Sequence, residues 1–167
     1  MSYDFNIDEV LEMAEQIEIN GARFYRQMAK AVSDDSLRQL FFDLANMEDQ
    51  HQKVFASMRS NLSEKEREPT VFDPEGETAL YLKALADIRV FEQNAEEEFV
   101  LSDDLSEKEK VKKIFHAAIN REKESIVFYL GMKELVPKNL GKEKIDAIIK
   151  EEMKHIRLLG SRFVSLK

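Results

Sequence analysis

The sequence predicts an all-α protein: a four-helix bundle of two helix hairpins, joined by a long crossover that carries an extra helix. Three observations predict this fold. Apolar residues recur at helical spacing along four long stretches. Residues that break helices are scarce, with five Gly and three Pro among 167 residues. A helix pair in the first part of the chain recurs at an offset of 104 residues, which indicates an internal duplication.

The composition limits the classes of function. A chain of 167 residues is most simply one domain, residues 1–167, and it is long enough to form a hydrophobic core without stabilising cross-links. The net charge of −8 argues against nucleic-acid binding, and the absence of Cys excludes disulfides and thiolate-bound metals. No basic region precedes an apolar run at the N-terminus, and no segment approaches the length of a membrane span. We therefore expect a soluble cytoplasmic protein with no nucleic-acid or membrane partner.

The first hairpin is predicted at about residues 7–61. Asn6 and Glu9 have the spacing of a capping box and predict the start of the first helix. Residues 33–35, Ser-Asp-Asp, interrupt the apolar pattern and supply an N-cap for the second helix, at about 36–61. Because this connection is short, the two helices are expected to pack antiparallel.

The crossover is predicted at about residues 62–106. It is polar and charged, and it contains Pro69 and Pro74. Asp73 and Pro74 form an N-cap and first-turn pair that predicts the extra helix. The apolar face expected for this helix comprises Tyr81, Ala84, Leu85, Ile88, Phe91 and Phe99.

The second hairpin is predicted at about residues 107–166. Ser106 and Glu109 form another capping box at its start. Pro137 ends the third helix and Gly141 marks the turn into the fourth.

The second and fourth helices each carry a Glu-x-x-His motif on an otherwise apolar stripe. Another glutamate on an apolar stripe stands 30 residues before each motif, within the frame Glu-x6-Tyr-x2-Met. A single motif of this kind is a weak signal and is most simply a surface pair, whereas the duplicated set is a strong one. The six core-facing polar residues are Glu18, Glu48, His51, Glu122, Glu152 and His155.

These six side chains predict a metal site. If the hairpins pack face to face, four carboxylates share one layer of the core. Burying one unpaired ion costs several kcal/mol against a total stability of about 5–15 kcal/mol, so compensation is required. The core-facing stripes contain no Lys or Arg, whereas two divalent cations balance four carboxylates. Oxygen and imidazole ligands suit iron or manganese. The alternative is that Glu18 and Glu122 are neutralised by tyrosines or by raised pKa values.

The pattern resembles the ferritin-like di-iron and di-manganese carboxylate bundles, and among them the rubrerythrin group. The resemblance covers most of the chain, although the crossover contributes nothing diagnostic to it. It implies a carboxylate-bridged centre of two iron ions, with manganese or a mixed pair as alternatives. Glu48 and Glu152 are then bridges, and Glu18 and Glu122 are terminal ligands. The residues that carry the resemblance are Glu18, Tyr25, Glu48, His51, Glu122, Tyr129, Glu152 and His155.

The resemblance also implies a function. Rubrerythrin-like proteins are oxidoreductases of oxidative stress that reduce hydrogen peroxide or dioxygen, and a homodimer is expected. Full-length rubrerythrins add a Cys-rich rubredoxin-like domain, so a chain without Cys is expected to use a separate electron-donor protein. The other functions left open are iron(II) oxidation in iron handling, dimanganese catalase activity, and a metal kept mainly for stability.

Four other kinds of residue carry expectations of their own. Rubrerythrins often place a further Glu one turn after the third-helix ligand, where this chain has Ser125, and this difference argues against redox-linked ligand switching. Tyr25 and Tyr129 are predicted to pack in the core, with hydroxyls that can bond a ligand carboxylate of the opposing hairpin. His116 is expected to be a surface or packing residue. The methionines expected to fill gaps in the core are Met28, Met47, Met132 and Met153.

Overall fold

Four long helices make up most of the described structure, a computed structural model that describes residues 6–67, 76–78, 80–85 and 101–166. Two short 3₁₀ turns, Glu64–Arg67 and Lys138–Leu140, lie outside the long helices, and no strand occurs in the described ranges. Helix α1 packs mainly against α2, and α3 against α4. The predicted all-α bundle of two hairpins is confirmed. The helices are α1 Ile7–Ala31, α2 Asp35–Ser60, α3 Glu107–Leu135 and α4 Lys142–Ser165.

The helix starts follow the predicted caps. Asn6 accepts a hydrogen bond from the Glu9 backbone N–H at 2.8 Å, and the Glu9 carboxylate accepts one from the Asn6 N–H at 3.4 Å. Ser106 and Glu109 form the same reciprocal pair before α3. Asp34 caps α2 by accepting from the backbone N–H of Leu37 at 2.8 Å. These contacts satisfy backbone donors that have no partner within a helix.

The core consists of two apolar clusters, each contributed by all four helices. One includes Leu11, Phe55, Met132 and Ile145, and the other includes Phe41, Phe115 and Leu159. On α2, the stretch between Ala45 of one cluster and Phe55 of the other contains Glu48 and His51. The same order holds on α4, where Glu152 and His155 lie between Ile149 and Leu159. The polar side chains therefore form a layer between two dry regions.

The methionines divide into two pairs. Met28 and Met132 are buried in the clusters, as predicted. Met47 and Met153 are 38% and 52% exposed, so the prediction that they fill the core is wrong. Each is next in sequence to a buried glutamate, and one residue is a rotation of about 100° around a helix.

The described part of the crossover packs against α3. Residues 80–85 are helical, and Leu82 is fully buried in the apolar cluster that contains Leu11 and Phe55. Tyr81, predicted on the apolar face, is 40% exposed and donates a hydrogen bond to the Val127 carbonyl at 3.0 Å. Gly131 permits this contact, because a Cβ there would lie 2.5 Å from the Tyr81 ring. Pro69, the predicted Asp73–Pro74 helix start, Ile88, Phe91 and Phe99 lie outside the described residues. No helix within the described ranges is long and apolar enough to cross a membrane.

Candidate metal centre

The six polar side chains predicted from the sequence meet in one layer between the hairpins. Each is between 0% and 4% exposed. They form two groups of four residues, and within each group one donor atom from each residue lies within 4.8 Å of the others. Glu48 and Glu152 belong to both groups. Glu18 and His51 complete the first group, and Glu122 and His155 complete the second.

Both histidines direct Nδ1 toward the carboxylates. His51 Nδ1 lies 3.2 Å from Glu152 Oε1 and 3.5 Å from Glu18 Oε2. His155 Nδ1 lies 2.9 Å from Glu152 Oε2 and 3.2 Å from Glu48 Oε1. The two rings are stacked, with centroids 5.6 Å apart and planes 18° apart. The layer therefore presents two imidazole nitrogens and four carboxylates to a common interior space.

The tyrosines of the repeat connect the hairpins reciprocally. Tyr25 on α1 donates to Oε1 of Glu122 on α3, and Tyr129 on α3 donates to Oε1 of Glu18 on α1. Burial, together with the charge of the neighbouring carboxylates, raises the pKa of both hydroxyls well above the usual value. Both tyrosines therefore remain protonated donors, and each fixes the orientation of one glutamate.

The electrostatics of the layer favour extra protons. Burial and the charges of Glu152 and Glu18 raise the pKa of Glu48 well above its usual range. Burial also raises the pKa of Glu18. For His51, burial alone disfavours the charged ring, but its carboxylate contacts outweigh this and raise the pKa to about 11. The same balance raises the pKa of His155 to about 12. Without another cation, protons on these groups supply the positive charge.

The buried polar atoms of the layer are better suited to bind two metal ions than to form hydrogen bonds with one another. In the described part of the chain, six buried side-chain atoms have no hydrogen-bond partner, and all six belong to this layer. Native proteins satisfy nearly all buried polar groups, so a cluster of orphaned atoms requires an explanation. Carboxylate oxygens and imidazole nitrogens are metal ligands. The orphaned atoms are Glu18 Oε2, Glu48 Oε1, His51 Nδ1, Glu152 Oε1, Glu152 Oε2 and His155 Nδ1.

Comparison with known proteins agrees with this geometry. The family model of rubrerythrin matches residues 9–162 of the chain. The chain belongs to the rubrerythrin family. A crystal structure from Thermotoga maritima, described as a "putative ferritin-like diiron-carboxylate protein", superimposes with a TM-score of 0.67 and 22% identity, covering 98% of this chain and 97% of that one. This likeness shows that the fold is ferritin-like. No curated protein matches the chain.

One position of the rubrerythrin pattern differs here. Ser125, where many rubrerythrins have a further Glu, is buried on α3 at 7% exposure. The equivalent position in the first half of the repeat is Gly21 on α1. A Cβ at Gly21 would lie 3.0 Å from Glu48 Oε2, so the absence of a side chain gives this carboxylate its room. Neither position adds a carboxylate to the layer in this family member.

Two residues that contact the layer were not found from the sequence. Glu151 Oε2 lies 2.7 Å from His51 Nε2, and Met47 Sδ lies 3.2 Å from His155 Nε2. Both lie beside the buried stripes, so apolar periodicity does not select them. Met47 and Glu151 occupy equivalent positions in the two repeats, and this equivalence is the sequence signal that could have identified them. His116, the remaining histidine, is exposed and contacts the edge of the Phe163 ring, outside this layer.

Proposed function

We propose that this chain holds two iron ions in the buried layer and reduces hydrogen peroxide or dioxygen there. The observation that supports the proposal most directly is the set of six buried donor atoms without hydrogen-bond partners, contributed by three of the four helices, α1, α2 and α4. The di-iron carboxylate description of the Thermotoga maritima protein of the same fold supports the choice of iron. Four carboxylates with two imidazoles are a ligand set that suits this metal.

The two donor groups support an assignment of the ligands. Glu18 and His51 would hold one ion, and Glu122 and His155 would hold the other. Glu48 and Glu152 are common to both groups, so they would be the residues that bridge the two ions. Tyr25 and Tyr129 would keep Glu122 and Glu18 oriented through the reciprocal hydrogen bonds between the hairpins.

Reduction to water would take two electrons for hydrogen peroxide and four electrons for dioxygen, so the latter would need the external donor to supply two further electrons. Iron(II) ions held by these residues would supply one electron each, so that H₂O₂, two electrons and two protons would give two molecules of water. The protein's own residues exclude bulky reactants, since every member of the layer is at most 4% exposed. Peroxide and dioxygen are small enough to reach such a site. The 167 residues contain no Cys that could hold a relay centre, and we assign electron delivery to a separate donor protein.

Metal analysis combined with peroxide consumption tests the proposal. The purified protein is expected to contain about two iron ions per chain, and to consume peroxide only while a reductant is supplied. Copurified manganese, with oxygen released from peroxide without a reductant, would instead indicate catalase activity. Uptake of iron far beyond two ions per chain from iron(II) and oxygen would indicate iron handling. A protein that binds no metal would refute the proposal.

A further inference from the structure

The outward-facing nitrogens of the two histidines have chemically different partners. His51 Nε2 lies 2.7 Å from the Glu151 carboxylate. His155 Nε2 lies 3.2 Å from the Met47 thioether sulfur. Each contact joins α2 to α4, and each partner is about half or more hidden from solvent: the Glu151 side chain is 50% exposed and Met47 is 38% exposed.

These two partners occupy equivalent positions in the duplicated sequence. Met47 directly precedes Glu48, and Glu151 directly precedes Glu152, at the same offset of 104 residues. The inward-facing set is identical in the two halves: each has the same two glutamates, the same histidine and the same tyrosine. The two copies of the repeat therefore share the residues that face the centre, but they differ in the residue that contacts each histidine from outside.

This difference matters because of the direction of the rings. Nδ1 of each histidine faces the carboxylate layer, so Nε2 is left to carry the N–H and to donate it outward. A carboxylate accepts such a bond strongly, orients the ring and makes the opposite nitrogen a better donor to a metal. A thioether sulfur is a weak acceptor and does this poorly.

We infer that the two halves of the centre bind metal unequally, that the Glu18–His51 half is the tighter, and that Glu151 is the positioning residue responsible. The inference rests on the proposed function, because it requires metal in the layer. Loss of an outer partner of a metal-bound histidine typically costs about 10–100-fold in affinity. Since the Glu151 side chain is half exposed and its charge is partly screened, the effect is expected near the lower end, about tenfold.

Anaerobic calorimetric titration of the metal-free protein with iron(II) tests this difference. The wild-type protein is expected to bind two ions in steps separated by about tenfold or more. Glu151→Gln keeps the shape but removes the charge, so its tighter step is expected to weaken by about tenfold. Met47→Glu gives the other histidine a carboxylate and is expected to tighten the weaker step. Met47→Leu, the control, is expected to leave the tighter step unchanged.

Anomalous diffraction from crystals with one equivalent of iron identifies the half that fills first, because two steps alone could also arise from repulsion between the ions. Iron is expected in the Glu18–His51 half of the wild type and divided between the halves in Glu151→Gln. Equal occupancy in the wild type, or unchanged steps in Glu151→Gln, would overturn the inference and leave the proposed function standing. Failure of the wild type to bind iron would overturn both.

Discussion

The hydroxyl of Tyr129 donates a hydrogen bond to the carboxylate of Glu18, across the interface between the two hairpins. Both residues are fully buried, and Tyr129 also packs its ring against Phe55 with centroids 5.1 Å apart. The same side chain thus belongs to the apolar core through its ring and to the polar layer through its oxygen. The contact couples the stability of the bundle to the orientation of a candidate ligand.

Tyr129→Phe is therefore expected to destabilise the metal-free protein by about 1–3 kcal/mol, because it leaves a buried carboxylate oxygen without its donor. Chemical denaturation measures this change in the free energy of unfolding. Tyr81→Phe is the matched control, since the Tyr81 hydroxyl bonds an exposed carbonyl and its loss is expected to cost no more than about 0.5 kcal/mol. Equal costs for the two variants would show that the buried bond has no special weight.

Ligand substitutions are expected to reduce metal content according to the two donor groups. His155→Ala removes a residue of one group and is expected to lose about one ion of the two. Glu48→Ala removes a residue shared by both groups and is expected to lose both ions. Metal analysis of the purified variants measures this. His116→Ala, which lies outside the layer, is expected to retain full content. Full content in Glu48→Ala and His155→Ala would refute the ligand assignment.

Apolar periodicity was sufficient to predict most of the bundle and the six polar members of its layer. Glu18 and Glu152 occupy positions where the helical pattern predicts an apolar residue, and a charged residue at such a position identifies a candidate site residue. Glu151 and Met47 lie beside the apolar stripe, where a charged or exposed residue is ordinary. Their contacts with the histidines could therefore be recognised only in the folded structure. The single-domain extent, the homodimer, the cytoplasmic location and the donor protein stay predictions.

The metal-free protein is expected to lose stability as pH rises from about 6.5 toward 10. The pKa of His51 is raised from 6.5 to about 11 and that of His155 to about 12, so the folded state binds protons that the unfolded state has released. Their stabilising effect is complete below pH 6.5 and is lost as pH approaches the folded-state values. Each proton changes the free energy of unfolding by up to about 1.4 kcal/mol per pH unit.

Denaturation at a series of pH values, with and without metal, measures this dependence. Bound ions replace the protons, so the metal-loaded protein is expected to show a much flatter curve, and loading is expected to release protons. The surface charges are the same in both samples, so the difference between the curves isolates the buried layer. A metal-free protein whose stability stays level or rises over this range would contradict the charge balance described for the layer.

Gly21→Ala is expected to weaken metal binding with little change in the stability of the metal-free fold. Alanine favours a helix by about 1 kcal/mol over glycine, but its Cβ would lie 3.0 Å from Glu48 Oε2 and displace that carboxylate. Gly160→Ala on α4 is the matched control, because a Cβ there meets nothing within 4 Å. It is expected to stabilise the protein by up to about 1 kcal/mol and to leave iron(II) affinity unchanged. If calorimetry found the same iron(II) affinity in both variants, the room left by Gly21 would have no role in positioning Glu48.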